Sequence, residues 1–252
     1  MPPFILLLML FPSLTLAHFQ TLLPTTDTVI ETQQSVIQLE MQWTHPMEQG
    51  PLMNMGKPQQ FGVLLGEQQI DLSKNLVPKQ QSGVTFYQAS YTFKQPGNYI
   101  FFLEPAPYWE ETEGKMIVHY TKVIVDAFEA GTGWETLVGL PVEIEPLVRP
   151  FGIWVGNLFQ GLVRRNGKVV PFAKIEVEYF NQSRSIIPAS AALITQVIKA
   201  DSQGLFSYAI PKTGWWGFAA LLESEQPMRN PQGQMVEGEL GGVLWVQAKE
   251  LP

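Results

Sequence analysis

The sequence predicts an all-β protein organised as two consecutive β-sandwich domains, and three observations predict it. Gly and Pro together number 41 and fall between short runs rich in Val, Ile, Phe and Tyr, which is how a chain of many strands punctuates its turns. Two long stretches alternate apolar and polar residues with period two. Helical periodicity is hard to find in any long window, and the one stretch that reads as helical, 188–193, is too short to matter.

The elements follow in chain order. Residues 4–17 (FILLLMLFPSLTLA) form an uncharged apolar run, shorter than the roughly 20 residues a membrane helix needs. It ends in Thr15-Leu16-Ala17, a small-residue pattern that signal peptidase reads. Residues 1–17 are therefore expected to be a signal peptide. Cleavage after Ala17 would leave a secreted or periplasmic protein that begins at His18 and does not insert into the membrane.

The first domain is expected over 18–148, with strands near 18–23, 35–45, 60–65, 84–94, 98–104 and 115–128. In 35–45 the odd positions are Ile37, Leu39, Met41, Trp43 and His45, against Gln38, Glu40, Gln42 and Thr44, so the odd side packs inward and takes His45 with it. In 115–128 the odd positions are Ile117, His119, Thr121, Val123 and Val125, which turns His119 inward and sets Lys122 and Asp126 on the opposite side. Pro146 and Pro150 mark the boundary, because two prolines so close do not both fit a paired central strand.

The second domain is expected over 149–252. It opens with a strand over 153–163, and Asn166-Gly167 then gives a hairpin signal. Further strands are expected at 173–180, 194–200, 205–210, 215–222 and 242–247. About seven strands in roughly 100 residues is the size of an immunoglobulin-like or prealbumin-like sandwich. The adjacent Trp215 and Trp216 must face opposite sides of their strand, so one of them is either exposed or covered by another surface.

Composition narrows the function. Sixteen basic residues against 23 acidic ones, a net charge of -7, argue against nucleic acid and anionic membrane surfaces as partners. Cysteine is absent, so any metal must be held by His, Met, carboxylate, backbone or the amino terminus. The sequence carries no Gly-rich phosphate loop, no G-x-S-x-G elbow and no H-E-x-x-H helix, and the protein is expected not to be an enzyme.

Three histidines remain, and each has a marked position. His18 begins the mature chain, where a free α-amine and an imidazole sit on one residue, while His45 and His119 lie on inward faces. Nitrogen donors of this kind suit Ni(II), Co(II), Cu(II) or Zn(II) once deprotonated. Met47, Glu48, Met53 and Met55 follow His45 in a Pro- and Gly-containing loop and form a second tier of candidates, since thioethers ligate soft metals or line an apolar vestibule. The acidic run Glu110-Glu111-Thr112-Glu113 reads as a solvated loop rather than an acid/base pair.

These residues resemble the periplasmic accessory, metal-binding components of nickel/cobalt uptake transporters of the energy-coupling-factor type. The resemblance is carried by Ala17-His18-Phe19, by Trp43-Thr44-His45-Pro46-Met47-Glu48 with Met53-Asn54-Met55, by Phe61-Gly62-Val63-Leu64, and by Lys115 to Asp126 with His119. It extends through Gly161 to Pro171, Asp201 to Tyr208 and Gly214-Trp215-Trp216-Gly217-Phe218-Ala219. It implies two β-sandwich domains, a periplasmic location, and binding of Ni(II) or Co(II) as cargo for delivery to a membrane permease. The residues leave two other readings open. One is a copper-binding protein or copper-dependent oxidative enzyme with an amino-terminal histidine, holding Cu(II). The other is a structural or carbohydrate-binding sandwich.

Overall fold

A computed structural model describes residues 18–31, 35–48 and 50–252. The expected signal peptide, 1–17, lies outside the described residues. The first part of the chain forms β1 (Phe19–Gln20), β2 (Leu23–Pro24), β3 (Thr28–Val29), β4 (Val36–Met41) and β5 (Trp43–Thr44). Then come β6 (Gln60–Leu65), β7 (Gln68–Asp71), β8 (Val77–Gln81), β9 (Val84–Thr92) and β10 (Gly97–Glu104). Next are β11 (Tyr108–Glu110), β12 (Lys115–Ala127) and β13 (Val142–Pro146).

The remainder forms β14 (Ile153–Trp154), β15 (Leu158–Arg165), β16 (Lys168–Val169), β17 (Lys174–Tyr179), the short helix α1 (Ala191–Ile194) and β18 (Gln196–Lys199). The chain closes with β19 (Leu205–Ala209), β20 (Gly214–Glu223), β21 (Met228–Arg229), β22 (Met235–Val236) and β23 (Gly238–Lys249). Asn166 and Gly167, both at positive φ, a conformation that Asn and Gly tolerate, make the tight turn of the β15–β16 hairpin. Among the described residues no helix is long and apolar enough to cross a membrane.

The expected β-sandwich packing is present twice, on two faces of one sheet. That sheet runs β18-β17-β20-β23-β12-β10-β6-β7, with β3, β11 and β14 as side branches. On one face, the upper, Ile37, Leu39 and Met41 of β4 and Ala89 of β9 pack against Phe61, Phe101, Ile117, Val123 and Trp245. On the other, the lower, Ile144, Phe159 and Phe206 from β13, β15 and β19 pack against Phe102, Ile124, Phe218 and Leu244. The alternation of side chains along each shared strand feeds two cores at once.

One expectation changes as a result. The seam at 148/149 does not separate two independent units, because β13 already pairs with β15 and β23 pairs in parallel with β12 from Met116↔Gly238 to Val123↔Trp245. No local pattern announces a pairing between segments so far apart. Lys122 and Asp126, on the side of β12 opposite His119, are buried too, Lys122 beneath β13 and Asp126 against the Gly131 backbone. Lys122 Nζ lies 2.5 Å from Glu143 Oε1. Burial pushes the Lys122 ammonium down from its ordinary value, and the Glu143 charge works against that. The tryptophan pair divides as its geometry demands, with Trp216 in the lower core and Trp215 partly covered against the upper one.

Candidate metal centre

Strand pairing brings the histidines together. β1 runs antiparallel to β5 with Phe19 opposite Thr44, so one further step sets His18 opposite His45. Their ring centroids are 4.4 Å apart. β1 is held over the shared sheet by Gln20, whose carbonyl accepts from Trp245 Nε1 at 3.0 Å. His119 rises from β12 beneath Trp43, ring to ring at 4.9 Å. Tyr108 of β11 closes the side, 5.8 Å from His18 and 5.3 Å from Trp43. His45 and His119 are buried, and the His18 side chain is 13% exposed.

Two carboxylates stand behind two of the imidazoles. Glu110 Oε2 is 3.0 Å from His18 Nε2, and its other oxygen accepts from the Thr112 backbone N–H. Glu239 Oε1 is 3.4 Å from His119 Nε2, and its second oxygen takes Lys115 Nζ at 2.8 Å. An ionised carboxylate only accepts, so each histidine donates Nε2–H and keeps its Nδ1 lone pair. His119 Nδ1 is buried with no hydrogen-bond partner. Such an orphaned acceptor costs roughly 1–3 kcal/mol unless something binds it.

The electrostatics favour a neutral His18. Burial above all, then the His45 and His119 charges, pull the His18 imidazole down from 6.5 to about 4, against the opposing pull of Glu110 and Glu239. Burial alone would raise the Glu239 carboxyl, but hydrogen bonds and charge from His119 and Lys115 outweigh it and take it down to about 2. At neutral pH the centre therefore combines an uncharged His18 with an ionised Glu239. The parallel register explains the room for His119: it sits beside Gly241, where a Cβ would come within 2.4 Å of its Cδ2.

His18 and His45 are in ring contact, and His18 and His119 both border Trp43, whereas the second-tier residues divide. Met53 bridges to Trp43 through its backbone, and Met55 is buried beside Gln20, whose Nε2 lies 3.7 Å from its sulfur. Met55 also lines a cavity of about 210 Å³ over Trp43 and Tyr108. Met47 is buried but tied to Glu178 and Asn181, and Glu48 is exposed, its charge acting on Glu178. The solvated-loop reading of Glu110 is corrected: β11 folds back on β12 and buries it. Glu239 carries no local sign of its role, since only the β12–β23 pairing delivers it. Among the described residues no three His, Asp or Glu side chains close on one point tightly enough to hold a metal ion by themselves.

Comparison with known proteins adds a family and little more. No curated protein matches the chain. Similar solved structures include the adhesin InvE of Yersinia pseudotuberculosis, at 12% identity and TM-score 0.26, covering 88% of this chain and 58% of that one. The chain thus spans less than two thirds of the adhesin. A DUF3823 family protein from Bacteroides uniformis has 12% identity and TM-score 0.24, covering 89% and 98%. A chimeric titin Z1Z2 carrying a decorin peptide has 11% identity and TM-score 0.23, covering 93% and 97%. The family described as domain of unknown function DUF4198 matches residues 15–224, most of the chain. The protein belongs to the DUF4198 family.

Proposed function

We propose that the processed protein captures a divalent transition-metal ion, Ni(II) or Co(II), in the periplasm through His18, His45 and His119 and delivers it to the permease of a membrane transporter. The observation that carries this reading is the convergence of the chain's three histidines, two of them backed by carboxylates that leave Nδ1 as the free donor. A carboxylate–imidazole pair behind a metal fixes the tautomer and raises the basicity of the ligating nitrogen. The residues 17–19, 43–48 and 53–55 that resemble nickel/cobalt transporter accessory components supply the His18 and His45 side of the same cluster.

The incomplete closure of the side chains fits a site finished by processing. Once His18 is the first residue, its α-amine and Nδ1 chelate one ion from a single residue, and His45 and His119 add imidazoles. The ion is cargo, so the protein's task is to bind and release, with no bond made or broken. Burial of His45 and His119, the latter against Trp43, favours capture over oxidative chemistry on an extended polymer, which needs an open face.

Calorimetric titration of two forms tests the reading, one beginning at His18 and one retaining Ala17. The form beginning at His18 is expected to bind Ni(II) at least about tenfold more tightly, because an acylated nitrogen is a poor donor at neutral pH. Co(II), Cu(II) and Zn(II) run alongside give the order of preference. Failure of the His18 form to bind any of the four would remove the metal reading.

A further inference from the structure

The turn that carries His45 is held from the second sandwich. Met47 N donates to Glu178 Oε2 at 3.2 Å, Asn181 N donates to the Pro46 carbonyl at 3.1 Å, and Asn181 Nδ2 donates to the Met47 carbonyl at 3.0 Å. Glu178 and Asn181 are 1% and 2% exposed. Their remaining polar capacity is also spent: Thr195 Oγ1 donates to Glu178 Oε1, and Asn181 exchanges hydrogen bonds with the backbone of Ile186. Within the turn itself, Gly50 N reaches the His45 carbonyl only at 3.4 Å. The sequence partner that fixes Met47 lies 134 residues away.

We propose that Asn181 and Glu178 are positioning residues: together they clasp the His45 turn in its ligating conformation, so that the second sandwich sets the affinity of a centre it supplies with no imidazole. This rests on the metal reading above. The physical need is clear from the topology. His45 stands one residue beyond β5, a two-residue strand, and a ligand held on so short an element keeps its place only if the following residues are fixed. Three hydrogen bonds from buried donors and acceptors supply that restraint across the inter-sheet space.

Titration of the processed protein with Ni(II), beside urea unfolding of the metal-free form, separates positioning from mere stability. Asn181→Ala and Glu178→Ala are expected to weaken Ni(II) binding about tenfold or more. Glu178→Gln is expected to bind as the unsubstituted protein does, since its amide oxygen accepts from Met47 N and its amide NH₂ donates to Thr195 Oγ1. Asn230→Ala serves as the control. Asn230 is a buried Asn that closes the 230–234 turn through Gln232 N and Gln234 N, and its loss should lower stability without touching affinity.

Unchanged affinity in Asn181→Ala and Glu178→Ala overturns the clasp. So does an equal loss in Asn230→Ala, which would mean general loosening. If the Ala variants do not fold, Thr195→Val, which removes only the far hydroxyl, is expected to weaken binding by a smaller factor, and no change there overturns the proposal. Absence of Ni(II) binding in the unsubstituted protein is a separate result: it removes the metal reading first and the clasp with it.

Discussion

A carboxylate behind an imidazole decides which nitrogen is left to work. Glu110 and Glu239 both take Nε2, which leaves Nδ1 as the second nitrogen of His18 and leaves Nδ1 of His119 buried and unpaired. The placement of His119 depends on Gly241 across the parallel pairing. Replacing Gly241 with Ala puts a methyl 2.4 Å from His119 Cδ2 and 2.8 Å from Nε2, so the ring must leave its carboxylate. The expected outcome by calorimetry is a loss of about tenfold to a hundredfold in Ni(II) affinity. Gly242→Ala is the contrast, since its Cβ would meet the backbone of Val142 and Glu143 on the other face and should cost stability instead. The histidines were legible in the sequence, because period-two alternation turned His45 and His119 inward and the leader's end singled out His18. The carboxylates were not, since an acidic run reads as solvated until its strand is seen to fold back.

At the scale of elements, β12 joins the two sandwiches. One of its faces carries Ile117, His119, Val123 and Val125 into the upper core, and the other carries Val118, Tyr120, Lys122 and Ile124 into the lower layer. Lys122 is the polar exception, and it is matched by Glu143, which also accepts from the backbone N–H groups of Val138, Gly139 and Leu140. Lys122→Met leaves that carboxylate buried without its cation. Urea unfolding of the metal-free protein should show a loss of about 3–5 kcal/mol, partly recovered in Lys122→Met/Glu143→Gln, where the partner is neutral. Most long strands could be read from the sequence within a few residues, whereas the short β3, β7, β8, β11 and β13 could not, since their stability comes from neighbours rather than from pattern. The continuous apolar run Tyr99-Ile100-Phe101-Phe102-Leu103 lies in a strand buried on both faces, as a central strand of the shared sheet is.

For the whole molecule the charges set a pH profile. His18 is depressed from 6.5 to about 4, so the unfolded chain holds more protons in that window, and the stability this residue contributes is complete above about 6.5 and lost as pH falls to about 4. Glu239, taken down from 4.5 to about 2, adds a further loss below 4.5. Glu178 runs the other way. Burial chiefly, with Glu176 and Glu48 nearby, raises it from 4.5 to about 8 against hydrogen bonds from Thr195 and Met47, so its contribution is lost as pH rises through that window. Between 4.5 and 6.5 the His18 and Glu178 slopes oppose one another. The metal-free protein should therefore hold a plateau of stability between about pH 4.5 and 6.5, weaken below 4.5 and decline from 6.5 to 8. Glu178→Gln should flatten the decline above 6.5 and leave the His18 rise between 4.5 and 6.5 unopposed, as urea midpoints across pH 3–8 would show.

If one ion is shared by His18, His45 and His119, X-ray absorption at the metal edge of the processed protein loaded with one equivalent of Ni(II) counts its imidazoles. The scattering predicted is that of three imidazoles on a nitrogen-dominated ion, falling by one imidazole in His119→Ala. A spectrum with a single imidazole, or one that His119→Ala leaves unchanged, would contradict it.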